Sequence, residues 1–443
     1  MRLHESLQQW LDTAAGQMRW KRARPVAAKE LADHMEDQYA AFLEDGMEEE
    51  AAAAATVREM GDPVETGTRL DRAWRPQPDW VMLGLVLVVA AVGTVVQYLL
   101  GMHPTNEVPI LAQTQVGIYL IGVVCLFAGY FADYTILGRH SWLLYGAWAA
   151  IGLLLTVEPF RVEIMGKLVY LEQWVWFFPV LFAGILFQQR GKGTQGVGIC
   201  LLSLLGMWFF AMYAPSMTAL CVLTVVSCGM LFAAVWRGAF GQRTRGRLAL
   251  AASPVLAMAL YCLFLIVSSG HIREALGVVL HPQSDAMGSG YQGAVAQNIM
   301  LGIPFPFDSS IIHSVEAWLW GDSAIDWMLM AAKYYWGWAA VLLILAAAVL
   351  LLVRGFRLAW RQTGLLARSV CMGVMVTFAL QTLQYVLQNF GFILFSAYGL
   401  PLLSYGGAYL CQTMLLLGVL LSAQRCGALE AGAPPVQASD IGG

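Results

Sequence analysis

Charged side chains are scarce in this chain of 443 residues. Only 12% of the residues are Asp, Glu, Lys or Arg, whereas 58% are hydrophobic. Apolar runs of about 20 residues recur from about Trp80 onward, and a run of that length spans a bilayer as a helix. The composition therefore predicts a multi-pass membrane protein rather than a water-soluble enzyme.

Three other signals are missing. No two cysteines have CxxC spacing, and nearly all eight lie in apolar runs, which is typical of packing side chains rather than of metal or disulfide sites. A net charge of −3 gives no support to nucleic-acid binding. The first residues, MRLHESLQQW, lack the basic flank and apolar core of a cleaved signal peptide.

Residues 1–78 are predicted to form a small cytoplasmic helical domain. Three segments place charged and apolar residues at helical spacing, and glycine or proline stops each one. They are LQQWLDTAA, VAAKELADHMEDQYAAFLEDG and EEEAAAAATVREMGD. The ending VREMGDPVETGTRL resembles the helical prefix modules fused to permeases and other membrane proteins of Gram-positive bacteria. That resemblance implies regulation or protein contact rather than chemistry.

The remaining chain, residues 79–425, is predicted to be an all-α membrane domain of about ten transmembrane helices, followed by a short cytoplasmic tail, 426–443. The apolar segments are 80–101, 110–135, 142–158, 172–188, 197–213, 216–236, 248–269, 326–353, 369–396 and 401–423. Cytoplasmic loops are enriched in Lys and Arg, and the basic residues of this chain collect on one side of that count. Both termini are therefore predicted to be cytoplasmic, and the long loop at about 270–325 is predicted to face outward.

That loop contains DAMGSGYQGAVAQNIMLG, a glycine-rich polar stretch. A connection of more than fifty residues is commonly functional or disordered. Its aromatic and aliphatic residues, which include Trp318 and Trp320, favour a structure packed on the membrane face. Its glycines permit tight turns and close approach of backbone to a ligand. The sequence thus predicts a structured outer loop beside a site for a polar, lipid-linked ligand.

Three ordered blocks resemble the SEDS family of membrane proteins, which comprises FtsW, RodA and SpoVE. They are REALGVVLHPQSDAMGSGYQGAVAQNIMLG, AIDWMLMAAKYYWGW and QNFGFILFSAYGLPLLSYGGAYL. The resemblance covers about residues 80–425. It departs from the family pattern at Ile325 and Trp327, which flank Asp326, and at Tyr334 and Tyr335, where the family has an acidic pair.

The resemblance implies peptidoglycan glycosyltransfer in the bacterial cytoplasmic membrane. Lipid II would be the substrate, a class B penicillin-binding protein the partner, and division, elongation or sporulation the process served. By position, Asp326 would be the essential acid. One carboxylate base is sufficient for this transfer, because the leaving pyrophosphate needs no proton, and a cationic group or a divalent cation (Mg or Mn) would assist its departure. The alternative for Asp326 is that an aspartate in the first turn of a helix merely complements the helix dipole, and Asp322 could do the same as an N-cap.

Six further residues are candidates for substrate binding, and each has a structural alternative. They are Arg273, Lys333, Tyr291, Gln292, Gln384 and Gln388. Lys333 would meet the pyrophosphate or pair with Asp326, or else extend to the membrane interface; Arg273 would hold phosphate or anchor the interface. Tyr291 and Gln292 would touch sugar or shape the loop. Gln384 and Gln388 continue a stripe from Gln381 that suits either a helix contact or a substrate groove.

Two other functions suit the same sequence. A lipid flippase or transporter would also have about ten helices and polar residues within its spans, although no inverted repeat is recognisable. A catalytically silent scaffold or regulator of cell-wall synthesis would account for the altered motifs and the N-terminal domain.

Overall fold

The computed structural model describes residues 4–101, 110–164, 167–303, 327–395, 399–404 and 406–427. Asp326, Asp322, Trp318 and Trp320 lie outside these ranges. The described chain separates into two compact units, an N-terminal unit up to Pro78 and a membrane unit from Asp79 to Gln424.

The N-terminal unit is built from four helices rather than the three expected. They are α1 (Glu5–Gly16), α2 (Arg24–Glu44), α3 (Glu49–Met60) and α4 (Pro63–Trp74). The additional helix begins at the Gly-Asp-Pro sequence, where the Asp62 carboxylate accepts hydrogen bonds from the backbone N–H groups of Val64 and Glu65 and Pro63 occupies the first turn. The Gly-Asp-Pro sequence therefore both ends α3 and begins α4.

Two small apolar clusters hold these helices together. One contains Leu7, Trp10, Ala14 and Met35, and the other contains Met18, Ala23, Ala27, Leu70 and Trp74. The Asp71 carboxylate joins the second cluster to the α1–α2 connection: it accepts the Arg19 backbone N–H at 2.7 Å and the Arg75 guanidinium at 2.8 Å. Burial would raise the pKa of Asp71, but the hydrogen bonds from Arg75 and Arg19, together with their charges, lower it below its ordinary value.

Replacement of Asp71 with Asn is expected to destabilise the N-terminal unit by about 1–3 kcal/mol at pH 7, because Asn carries no charge for these donors. A carboxyl with a depressed pKa stabilises the folded state above its unfolded pKa of about 3.9, and that contribution is lost as pH falls through the lower folded value. The unfolding free energy of the native unit should therefore fall more steeply below about pH 4 than that of Asp71→Asn. Hydrogen exchange of peptides from residues 4–78 in the full chain measures the unfolding free energy of the native unit and of Asp71→Asn. Parallel pH profiles of the two proteins would contradict a lowered pKa for Asp71.

The membrane unit is helical throughout most of its described length. Its helices are α5 (Trp80–Gly101), α6 (Ile110–Phe131), α7 (Thr135–Arg139), α8 (Ser141–Leu154), α9 (Val169–Val175), α10 (Phe178–Gln188), α11 (Gly193–Tyr213), α12 (Met217–Trp236), α13 (Arg245–Ser268), α14 (Gly270–Leu280), α15 (Tyr291–Leu301), α16 (Met328–Trp336), α17 (Trp338–Arg361), α18 (Leu365–Asn389) and α19 (Gly407–Cys426). Within the described residues nine segments are long and apolar enough to cross a membrane, and α8 is a shorter apolar helix. The predicted polytopic all-α fold is confirmed, with one antiparallel ribbon of two residues per strand, Glu163–Ile164 and Lys167–Leu168.

One predicted feature of this unit was wrong. The single apolar segment at 326–353 is two helices, because Gly337 adopts φ 76° and ψ −168° between α16 and α17, a conformation that is essentially restricted to glycine. The stretch 270–303, expected to be part of a structured outer loop, contains α14, a short 3₁₀ turn at Pro282–Asp285, and α15. The segment predicted at 172–188 lies within a candidate membrane span, Val169–Gln188, which is built from α9 and α10.

Backbone contacts define the two ends of the membrane unit. At one end the Gly191 N–H donates to the Ala239 carbonyl at 2.8 Å, which joins the turn after α10 to the turn after α12. Leu366, in the first turn of α18, lies near Phe187 at the same end. We call this the arginine-rich end, for the basic residues in these turns. The opposite end carries the last turns of α18 together with α15 and α16.

Candidate functional site

The last two turns of α18 hold the start of α16. The first amides of a helix have no acceptor within the helix. Here the Met328 N–H donates to the Tyr385 hydroxyl at 3.0 Å, and the Met330 N–H donates to Asn389 Oδ1 at 3.1 Å. The Asn389 amide in turn donates to the Tyr385 carbonyl at 3.0 Å. Because both side chains are 0% exposed, α18 fixes where α16 begins.

Trp327 and the first turns of α16 are also buried. Trp327 is 3% exposed, and Met328 to Ala332 are at most 2% exposed. Asp326, the predicted base, immediately precedes Trp327 in the sequence and lies outside the described residues. The structure therefore describes the anchored helix that follows Asp326, and the catalytic role of Asp326 stays a prediction.

The glycine-rich stretch forms a turn and then a helix that rests on the end of α18. Asp285 organises the turn, because its carboxylate accepts the Ser289 N–H at 2.8 Å and its carbonyl accepts the Gly290 N–H at 3.1 Å. In α15 a Cβ on Gly293 would lie 2.8 Å from the Gly391 carbonyl oxygen, and Gly391 itself has φ 91°. Two glycines thus permit direct backbone contact between α15 and the chain after α18.

These contacts bring α15, α16 and the end of α18 together in what we call the three-helix junction. Four predicted substrate-binding residues lie on its helices: Tyr291, half-buried, and Gln292, exposed, at the start of α15, and Gln384 and Gln388 on α18. Gln384 Nε2 donates to Thr218 Oγ1 and to the Phe395 carbonyl, both at 3.2 Å, which favours its reading as a helix contact. Gln388 is buried.

Lys333 and Arg273, the two basic residues predicted to bind substrate, lie on different helices. Lys333 lies on α16, half-buried, with its ammonium 5.7 Å from the centroid of the Trp338 ring, a distance at which a cation–π contact forms. Arg273 is exposed on α14 rather than on the helices of the junction. The binding roles of both residues stay predictions.

Sequence reasoning missed Tyr385 and placed Asn389 only beside the glutamine stripe. A signal was available, since residues four apart share a helix face and a tyrosine and an asparagine on one face near a helix end are suited to cap a neighbour. Which neighbour they cap depends on tertiary packing. Gln381, one turn further from the junction, has a buried Oε1 with no hydrogen-bond partner in the described chain.

Comparison with known proteins gives one group of relatives. A probable peptidoglycan glycosyltransferase FtsW of Trichlorobacter lovleyi is 25% identical over 225 residues, which are 51% of this chain and 55% of the relative. The proteins of the same name from Halothiobacillus neapolitanus and Thiomicrospira cyclica are 24% and 28% identical, over 47% and 69% of this chain and 49% and 80% of theirs. The chain thus spans about half the length of the first two. No family model matches it.

A solved structure shares the fold. A chain from a study of the structural coordination of polymerization and crosslinking by a peptidoglycan synthase complex aligns with a TM-score of 0.57 and 22% identity, over 79% of this chain and 98% of that one. The fold is therefore that of a polytopic helical membrane protein. The FtsW relatives and the three sequence blocks both make the chain similar to proteins of the SEDS family.

Proposed function

We propose that the chain is a peptidoglycan glycosyltransferase that polymerises lipid II at the outer face of the bacterial cytoplasmic membrane, with both termini in the cytoplasm. The observation that carries the proposal is the similarity to three relatives that are all named as probable peptidoglycan glycosyltransferases. The three-helix junction supports it, because it anchors the residues that follow Asp326.

The reaction requires a base at the acceptor. The acceptor sugar hydroxyl loses its proton to Asp326 as its oxygen attacks the anomeric carbon of the donor, and the bond to the lipid pyrophosphate breaks. A carboxylate next to buried apolar residues is a stronger base than one in water, whereas a helix N-terminus weakens it. Tyr385 and Asn389 already accept two of the amides of the first turn of α16, so those two amides are not free to donate to the carboxylate.

A divalent cation stays a proposal from the sequence. No three His, Cys, Asp or Glu side chains of the described chain lie together as ligands would. Lys333 is the cation that α16 itself supplies, and a departing pyrophosphate is the ligand we propose for it.

We also propose a penicillin-binding protein of class B as the partner. The structural relative belongs to a complex in which polymerization and crosslinking are coordinated. A crosslinking enzyme placed beside the polymerase would receive the growing strand directly.

Purified full chain is expected to polymerise fluorescent lipid II into long glycan strands, and a co-purified class B penicillin-binding protein is expected to increase the yield. Gel separation of the products with and without muramidase digestion identifies the polymer. A verified complex that makes no polymer, from protein whose thermal melting is cooperative, would replace the proposal with the scaffold function. Movement of lipid II across a vesicle membrane without polymer would replace it with the flippase function.

A further inference from the structure

The arginine-rich end of the membrane unit has many more cations than carboxylates. The sequence contains no Asp or Glu between Glu172 and Glu274 or from 327 to 429. The same two stretches supply most basic residues of this end: Arg190, Lys192, Arg237, Arg243, Arg245, Arg247, Arg354, Arg357, Arg361 and Arg368. Only Arg354 has an ion pair among the described residues, with Asp79 at 2.6 Å.

The turns that carry these cations are held in place by backbone contacts. Arg247 donates to the carbonyls of Phe240 and Gln242 at 2.9 and 2.8 Å, and its Nε donates to Thr194 Oγ1 at 3.1 Å. Arg247 therefore joins the turn after α12 to the start of α11. The other arginines of this turn are carried by a backbone that these hydrogen bonds hold in place.

Two of these guanidiniums lie over exposed tryptophans. The Arg243 guanidinium carbon is 3.1 Å from the centroid of the Trp236 ring, and that of Arg368 is 5.3 Å from the centroid of Trp360. The tryptophans are 50% and 61% exposed. Exposed tryptophan at the end of a membrane helix is typical of the headgroup level of a bilayer, so these arginines lie where lipid phosphates lie.

Arg237 and Arg368 form the centre of the group. Arg237 follows the last residue of α12, Arg368 lies in the first turn of α18, and these two helices pack together. A Cβ on Gly373 would lie 2.9 Å from the Met230 sulfur, so the last turns of α12 lie against the first turns of α18. Neither residue forms an ion pair with any described residue. Two neighbouring guanidiniums repel each other, and a phosphodiester between them would convert that repulsion into paired charge-assisted hydrogen bonds.

We propose that Arg237 and Arg368 bind the phosphate of an anionic phospholipid headgroup, with Trp236 and Trp360 alongside its glycerol and acyl region. The occupant is a membrane lipid rather than a soluble anion, because the flanking indoles are exposed at the ends of two apolar helices, where tryptophan meets lipid headgroups. The site is separate from the three-helix junction and does not depend on the glycosyltransferase proposal.

Native mass spectrometry of the full chain, with phosphatidylglycerol and phosphatidylcholine added to the same micelles, tests the site. The native protein is expected to retain phosphatidylglycerol in preference to phosphatidylcholine by on the order of tenfold. Arg237→Glu should abolish the preference at this site. Arg190→Glu is the matched control, since Arg190 is exposed at the same end over the Phe187 ring and should keep most of the preference.

Thermal melting separates lipid binding from folding. In micelles without phosphatidylglycerol, Arg237→Glu should melt at or above the temperature of the native chain, because a carboxylate beside Arg368 replaces repulsion by attraction. Added phosphatidylglycerol should then raise the melting temperature of the native chain only. Equal loss in Arg190→Glu would mean a diffuse charge effect and overturn the site. Displacement of the lipid by millimolar inorganic phosphate would overturn the choice of lipid as the occupant.

Discussion

Asp326→Asn is expected to lower the rate of lipid II polymerisation by about 100-fold or more. General bases contribute on the order of 10²–10⁴ to a rate, and an amide of the same shape cannot take the proton of the acceptor hydroxyl. Because Asn keeps the size of Asp, binding of lipid II and of the penicillin-binding protein should change little. Single-turnover polymerisation with labelled lipid II measures the rate, and co-purification measures partner binding.

Asp322→Asn is the control for this experiment. It lies four residues earlier in GDSAID and makes the same change of charge, so a general effect of charge on the outer segment would appear in both variants. The expected result is a large loss in the first variant and less than about a threefold change in the second, against the 10²–10⁴ contributed by a base. An Asp326→Asn protein of nearly native rate would remove this residue from the mechanism.

Asn389→Leu is expected to reduce polymerisation by at least about tenfold. Leu has the same number and branching of side-chain heavy atoms but cannot accept the Met330 N–H, and a buried amide left without an acceptor costs about 1–3 kcal/mol. The start of α16 should relieve that cost by shifting, and a displacement of 1 Å at a catalytic group lowers a rate by as much as about 100-fold. The maximal rate should therefore fall while the lipid II concentration for half-maximal rate changes little.

Three comparison variants distinguish this positioning role from loss of fold. Tyr385→Phe removes the acceptor for the Met328 N–H and should reproduce part of the effect. Asn389→Asp retains an acceptor and should recover much of the rate at neutral pH. Thr377→Val, in which a buried hydroxyl of the same helix loses only its bond to the Gly373 carbonyl, should keep nearly native activity. Equal rates in Asn389→Leu and Thr377→Val would contradict the positioning role.

The sequence predicted the polytopic helical fold because a membrane span is a local property: twenty apolar residues suffice without knowledge of their neighbours. It did not predict α15, since glycines at 288, 290 and 293 suggest a loop when read alone. Gly293 is tolerated inside that helix because it meets the carbonyl of Gly391, about a hundred residues away. The hydrogen bonds of Tyr385 and Asn389 were not predicted for the same reason, because they join residues that are far apart in the sequence. Lys333 was expected to bind an anion. Its contact with the Trp338 ring depends on the change in backbone direction at Gly337.

The break at Gly337 has a mechanical consequence. If residues 328–361 formed one continuous helix, any tilt of the long portion, α17, would also tilt the short portion, α16. Here the first portion is fastened by its amides to α18, and the second begins after a residue outside helical geometry. Apart from its chain neighbours, no atom of the described residues lies within 4 Å of where a Cβ on Gly337 would stand. A tilt of the long helix is therefore not passed to the residues that follow Asp326 along a continuous helix axis, and reaches them only through the packing of both helices on α18.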